Sequence, residues 1–321
     1  MLRIKTLFAT LCTGVLISAY ASEPLTFAIA SDFHAPDVPG GLERVQAFID
    51  TARARQVDFI VELGDFARLD SASACYRDAW NAFPGYRYHV IGNHDCDSYT
   101  KEQYAAGIGM PGRYYSFDRG DYHFIVLDNN NWADDEGNIH PYNNGNYYGK
   151  STDWMDPAQL EWLKHDLAST DKRCILFSHQ SIDFRLKNGE AVRKVLEDEN
   201  ARAGRKKVVL AFSGHDHSNY NREINGIHYS QVNSASYVWI GTETKTELRF
   251  PKEINDRYGL MKYSMMYDRP LWAIVTLSDS GISIKGVRGE FMPPSPEEVG
   301  IESNVDSLPL VPYIEDYEIT F

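Results

Sequence analysis

Cations are in deficit in this chain. Its 321 residues hold 32 lysines and arginines against 45 aspartates and glutamates, a formal net charge of −13. An acidic field of that size argues against bulk binding to nucleic-acid backbones. It leaves room for a small phosphorylated substrate if metal ions supply local positive charge. Long apolar runs are also missing. The stretch from Thr6 to Ile17 is too short to span a membrane comfortably, and no later segment reaches that length. Cysteine is scarce, with four residues, and none is placed to join the polar clusters described below. Structural zinc held by soft thiolates is therefore not expected. No internal repeat is visible.

The first 21 residues have the composition of a secretory signal. Arg3 and Lys5 form a basic start without acids, an apolar core follows, and Ala19-Tyr20-Ala21 offers a cleavage site. Cleavage after Ala21 is expected, giving an exported protein, periplasmic or secreted, with no membrane span. It would carry 30 basic against 45 acidic residues, a charge of −15. Cys12 leaves with the signal. Cys174, in the apolar run Cys174–Phe177, reads as a buried thiol. Cys75 and Cys96 are a candidate disulfide pair.

What is present is a series of apolar runs, each closed by a polar cluster. Thr26–Ala30 leads to Asp32 and His34, Val57–Leu63 to Gly64-Asp65, and Tyr86–Ile91 to Gly92-Asn93-His94-Asp95. Cys174–Phe177 leads to His179, and Lys207–Phe212 to Gly214-His215-Asp216-His217. Between the first three, Leu42, Val45, Ile49 and Ala52 recur at helical spacing, and a second helical stretch runs through Ala79. This β-α-β-α-β order predicts parallel strands whose carboxyl ends gather a ligand site. A hairpin is expected over Tyr114–Leu127, then a helix capped by Asp156-Pro157 with Leu160, Leu163 and Leu167 on one face. Further hairpins are expected over Ile224–Val232 and Leu271–Val287. Residues 129–156 form a polar, aromatic segment without periodicity, suited to gripping substrate or to a plain surface insertion. The organisation expected is residues 22–290 as one domain, followed by an acidic, proline-rich tail, 291–321, packed on it.

Asp, Asn and His are ligands for first-row transition metals. A lone Asp-x-His or His-x-His is common in ordinary polar loops. Five clusters in one order, each at a strand end, are not. Asp32, His34, Asp65, Asn93, His179, His215 and His217 make seven candidate ligands, too many for one metal. They fit two metals sharing a carboxylate, an arrangement that activates water and clamps a phosphoryl group. The remaining histidines, His89, His123, His140, His165 and His228, read as core or surface residues.

The series Asp-x-His, Gly-Asp-x-x-Arg, Gly-Asn-His-Asp, His, Gly-His-x-His resembles the calcineurin-like metallophosphoesterase superfamily over residues 26–288. The resemblance implies an α/β fold, a four-layer α/β/β/α sandwich with two central mixed sheets. It also implies two divalent or trivalent transition-metal ions, Mn, Fe or Zn. Asp32, His34 and His217 would hold one, Asn93, His179 and His215 the other, with Asp65 bridging. Asn93 and His94 would contact substrate. His94 would be catalytic, binding a phosphoryl oxygen or protonating the leaving group, with Asp95 orienting its ring. Asp216 would point away, and Arg68 would support the site electrostatically. The activity implied is hydrolysis of phosphate mono- or diesters by metal-activated hydroxide. The alternatives are a nucleotide pyrophosphatase, a dinuclear amide or lactone hydrolase, and a non-catalytic metal-binding exported protein. Purple acid phosphatases carry a tyrosine where this chain has Arg68, and serine/threonine phosphatases an arginine where it has Leu69, so exported bacterial phosphohydrolases and the cyclic-nucleotide phosphodiesterase-like branch are the nearer likeness.

Overall fold

A computed structural model describes residues 23–321; the expected signal, residues 1–21, lies outside the described residues. Strands β1 (Leu25–Ala30), β2 (Phe59–Glu62) and β3 (Tyr86–His89) alternate with helices α1 (Gly41–Ala54) and α2 (Ala74–Asn81). They pair in parallel, as the β-α-β-α-β order requires. Helix α3 (Lys101–Ile108) leads to the hairpin β4 (Tyr115–Arg119) and β5 (Tyr122–Val126). Next come the short strands β6 (Asn131–Ala133), β7 (Ile139–Pro141) and β8 (Ser151–Thr152), then α4 (Pro157–Ala168) and β9 (Arg173–Phe177). Helix α5 (Gly189–Ala203) precedes β10 (Val208–Ser213), β11 (Tyr220–Ile224), β12 (Ile227–Gln231) and β13 (Tyr237–Trp239). The chain ends with α6 (Lys252–Arg257), β14 (Ser264–Met266), the hairpin β15 (Ala273–Ser278) and β16 (Gly281–Gly286), and β17 (Tyr317–Thr320).

Two six-stranded mixed sheets result, ordered β17-β16-β15-β1-β2-β3 and β11-β12-β10-β9-β5-β4. The central strands β1, β2, β5, β9 and β10 read as near-continuous apolar runs because both faces are covered. Phe27 and Ile29 of β1, Phe59 and Val61 of β2, Phe124, Phe177 and Phe212 fill the space between the sheets. Phe27 stacks on Phe59 with centroids 4.7 Å apart and meets Phe124, Phe177 and Phe212 edge-on. Each such ring, fully buried, contributes about 2–3 kcal/mol. Ala28, Ala30 and Ile60 point the other way, onto Val45, Phe48 and Ile49 of α1 and Trp80 of α2. On the second sheet, Cys174, Leu176 and Ala211 meet Leu163 and Leu167 of α4 and Val192 and Leu196 of α5. The layers are thus α/β/β/α, as the resemblance implied. Asp156 caps α4 by accepting the amide of Gln159. No helix among the described residues is long and apolar enough to cross a membrane.

Two expectations change. Cys75, Cys96 and Cys174 are all free thiols. Cys75 is exposed on α2, whereas Cys96 is buried against Tyr104 and Tyr142, so the proposed Cys75–Cys96 disulfide does not form. The segment 129–156 is not structureless. It holds a three-stranded sheet, β7-β6-β8, whose strands of two or three residues are too short to show periodicity. The tail packs into the first sheet: β17 pairs antiparallel with β16, and Ile314 and Ile319 enter the inter-sheet core.

His123 of β5 fastens this hairpin to α4, with Nδ1 2.7 Å from Asp118 and Nε2 2.9 Å from Asp166. Burial disfavours its charge, but Asp166 and Asp118 outweigh that and raise the imidazole above its ordinary value. Stability from such a group is fully present below the unfolded value of about 6.5 and is lost as pH rises through the folded one. His123→Gln should therefore lower the thermal midpoint more at about pH 5.5 than at about pH 10. Equal losses in circular-dichroism melts at both would contradict this.

Candidate metal centre

All seven candidate ligands come from loops at the carboxyl ends of parallel strands. Asp32 and His34 follow β1, Asp65 follows β2 and Asn93 follows β3, all in the first sheet. His179 follows β9, and His215 and His217 follow β10, in the second. Sharp reversals there aim the side chains inward. Among the ten described non-glycine residues with positive φ, five are in this set: Asp32 (51°), His34 (44°), Asp65 (58°), His215 (74°) and His217 (47°). Left-handed backbone at a residue other than glycine costs on the order of 1 kcal/mol and persists only where the surroundings over-determine it. Gly92 is required for close approach, since a Cβ there would overlap the carboxylate and backbone nitrogen of Asp65.

The ligand atoms gather in two groups. In the first, His34 Nε2 and His217 Nε2 are 3.3 Å apart, and Asp32 Oδ1 is 3.2 Å from His217 Nε2 and 3.8 Å from His34 Nε2. In the second, Asn93 Oδ1 is 3.0 Å from both His179 Nε2 and His215 Nδ1, and these nitrogens are 3.2 Å apart. Asp65 Oδ2 stands between the groups, 3.7 Å from His34 Nε2 and 3.3 Å from His179 Nε2. Two sets, Asp32–His34–His217 and Asp32–Asp65–His179, are close enough to hold a metal ion.

The donor chemistry fits such ions. Ring nitrogens facing each other at 3.2–3.3 Å share one proton at most, and a cation between them would be coordinated by both lone pairs. Each aspartate divides its oxygens. Asp32 Oδ2 accepts the amide of His215 at 2.9 Å and the Ser31 hydroxyl, leaving Oδ1 inward. Asp65 Oδ1 accepts the amide of His94 at 2.8 Å, leaving Oδ2 inward. His179 Nδ1 donates to the Leu63 carbonyl at 2.8 Å, which fixes the tautomer that presents the Nε2 lone pair. Burial would push both carboxyls up; His217 and His179 reverse this for Asp32, as His179 and His94 do for Asp65, and both stay well below the usual carboxylate range.

His94 stands at the rim, its side chain 44% exposed. Its Nδ1 lies 2.9 Å from Asp97 Oδ2, not from Asp95. This corrects the role expected of Asp95: neighbours in a 3-10 turn diverge, whereas residues three apart share a face. The Asp95 carboxylate is buried instead and accepts the amides of Gly92, Asp65 and Phe66, fastening one ligand loop to another. Asp97 is gripped in turn by the hydroxyls of Tyr147 (2.5 Å) and Tyr148 (2.9 Å) from the aromatic segment. Desolvation opposes charge on His94, but Asp65 and Asp97 outweigh it and lift the imidazole to about 9. Asp216 faces away and pairs with Arg185, while Arg68 reaches Asp37 at 2.5 Å.

Sequence reasoning also passed over Asn130 and Gln180. Asn130 donates to the Ile91 carbonyl at 2.7 Å and accepts from Gln180 Nε2 at 2.7 Å, tying the loop of Asn93 to that of His179. A buried Lys101–Asp128 pair, 2.6 Å, holds this bridge, and Lys101 also donates to the Asn130 carbonyl at 3.0 Å. The one available signal was Gln180 directly after His179.

A family model described as calcineurin-like phosphoesterase matches residues 25–219. No curated protein matches the chain. A dimetal phosphatase from Danio rerio is similar over 85% of this chain and 100% of its own, with TM-score 0.60 and 17% identity. GAP50, the anchor in the inner membrane complex of Plasmodium, is similar over 82% of this chain and 84% of its own, with TM-score 0.47 and 16% identity. At such identities the first likeness establishes the fold alone.

Asp65→Ala removes the carboxylate between the two groups, and Gly92→Ala displaces it by steric overlap. Both variants should bind at least one metal fewer than the parent protein, measured by mass spectrometry of the purified, metal-loaded proteins. Full metal content in both would remove Asp65 from the centre.

Proposed function

The chain belongs to the calcineurin-like phosphoesterase family, and from that premise we propose that it hydrolyses phosphate mono- or diesters of a small molecule with two transition-metal ions. The observation that carries this reading is the convergence of seven donor side chains beside a rim histidine held by its own carboxylate. Asp32, His34 and His217 would hold one ion, and Asn93, His179 and His215 the other, with Asp65 between the two groups. Manganese, iron and zinc all suit these ligands. When bound, the ions supply Lewis acidity at the phosphoryl oxygens and lower the pKa of water toward about 7.

The chain's own residues do the rest. Asp97 accepts Nδ1–H of His94, which turns Nε2 toward the cleft. The charged form that Asp97 favours donates from Nε2 to a phosphoryl oxygen or to the departing alkoxide. Asn93 positions the phosphoryl group beside it. Tyr237 is buried, its ring centroid 5.2 Å from that of His34 and 4.8 Å from that of His217, and shields this side of the centre from water. We place the activity outside the cytoplasm; the basic start, apolar core and Ala19-Tyr20-Ala21 of residues 1–21 support this.

Three measurements test the reading. The metal-loaded protein should release p-nitrophenol from p-nitrophenyl phosphate or its bis-ester, the faster one marking it as phosphatase or phosphodiesterase. Two bound metals with neither substrate cleaved would count against it. His94→Ala should retain both metals and lose about 10²–10⁴-fold in kcat. Metal loss there would make His94 a ligand. Asp97→Asn, which keeps the contact but removes its charge, should lose about 10–100-fold in kcat with metals retained. An unchanged kcat would detach Asp97 from catalysis.

A further inference from the structure

The cleft that opens from the metal centre is lopsided. One arm, of about 140 Å³, runs past His94 to Arg68, Ser98 and Tyr99. The other, of about 480 Å³, runs past His34 and His217 to Trp239, Leu260 and Val305. Three of the seven large apolar side chains exposed among the described residues line this larger arm: Tyr148 (61%) and Leu260 (51%), which it shares with the smaller arm, and Val305 (54%), which it does not. Apolar groups left open to water and collected at one place mark a binding surface. Here that surface is continuous with the catalytic centre.

Its far wall is fixed in place. Asn304 donates to the Asp216 carbonyl at 3.1 Å, while its own side-chain oxygen accepts the amides of Asp306 and Leu308 at 3.0 and 2.9 Å. Val305 is thus anchored to the loop that carries His215 and His217. Charge is nearly absent for a ligand to use. Arg185 is the sole arginine or lysine among the described residues lining this arm, and Asp216 and Asp306 both occupy its guanidinium. Past His94, which serves the phosphoryl group, an anionic group in this arm would find Asp306 and no arginine or lysine free of a carboxylate partner. Trp239, Leu260 and Val305 also lie outside residues 25–219, so they are equipment beyond the shared catalytic frame.

We propose, resting on the phosphoesterase reading, that the large arm receives an uncharged, apolar alkyl or aryl alcohol group of an ester with a single phosphoryl group. Hydrolysis then breaks the bond between phosphorus and the alcohol oxygen. Water adds its oxygen to phosphorus, and His94 supplies the proton that leaves with the alcohol.

Non-hydrolysable probes test this without relying on turnover. Methylphosphonate, hexylphosphonate and 6-phosphonohexanoate are titrated calorimetrically into the metal-loaded protein. Hexylphosphonate should bind at least about tenfold more tightly than methylphosphonate, since five methylenes enter apolar surroundings. The carboxylate-ended probe should bind more weakly than hexylphosphonate. Trp239→Ala and Val305→Ser should each reduce the hexyl-to-methyl ratio at unchanged metal content. Equal affinities for the two alkyl probes, tighter binding of the carboxylate-ended one, or a ratio that survives both substitutions would overturn the proposal. Turnover of p-nitrophenyl phosphate, measured in parallel, reports separately on the phosphoesterase reading.

Discussion

Asp32 and Asp65 are almost wholly withdrawn from water, at 0% and 3% exposure, and the imidazoles around them keep both ionised. Burying a carboxylate still costs several kcal/mol after relaxation, so each must be matched by partners with little slack. The matching is done by division of labour within one side chain. One oxygen of each aspartate takes a backbone amide from another loop, and the second faces the ring nitrogens. The loops cannot move apart without leaving a buried charge unpaired. The left-handed backbone at five ligand positions follows from the same demand, because only that geometry lets short loops deliver neighbouring side chains to one point.

Much of this was legible before the fold was known, for reasons that are physical. The runs at Thr26–Ala30, Val57–Leu63 and Cys174–Phe177 are apolar on both faces because the sheets are covered on both, and the polar clusters that end them fall on one rim. The stripe Leu42, Val45, Ile49, Ala52 and the Asp156-Pro157 cap mark helices by local chemistry alone. What stayed hidden depends on direction or on distance along the chain. Asp95 and Asp97 are equally acidic, and the turn that separates their roles cannot be read from spacing. Nothing local ties Tyr147 to Asp97, fifty positions away. Cys75 and Cys96 suggested a bond, but both are free thiols, one exposed and one buried.

The aromatic segment and the chain's last thirty residues share a theme. Neither supplies a candidate metal ligand. Tyr147 and Tyr148 steady the aspartate behind His94, Asn130 bridges two ligand loops, and Asn304 fastens the far wall to the loop of Asp216. All seven candidate ligands and the aromatic segment, Tyr148 included, lie within residues 25–219, while Trp239, Leu260 and Val305 of the apolar wall lie beyond them.

The division of the ligands between the sheets has a mechanical side. Asp32 and His34 from the first sheet meet His217 from the second, and Asn93 from the first meets His179 and His215 from the second. Neither sheet alone can assemble either group. An ion seated in either group would act as a rivet through the sandwich, adding to the hydrogen bonds of His215 to Asp32 and His179 to Leu63 and to the apolar contacts among Phe27, Phe124, Phe177 and Phe212. Coordination at the rim would thus add a directional constraint on the register of the two layers to the packing of the phenylalanine interior.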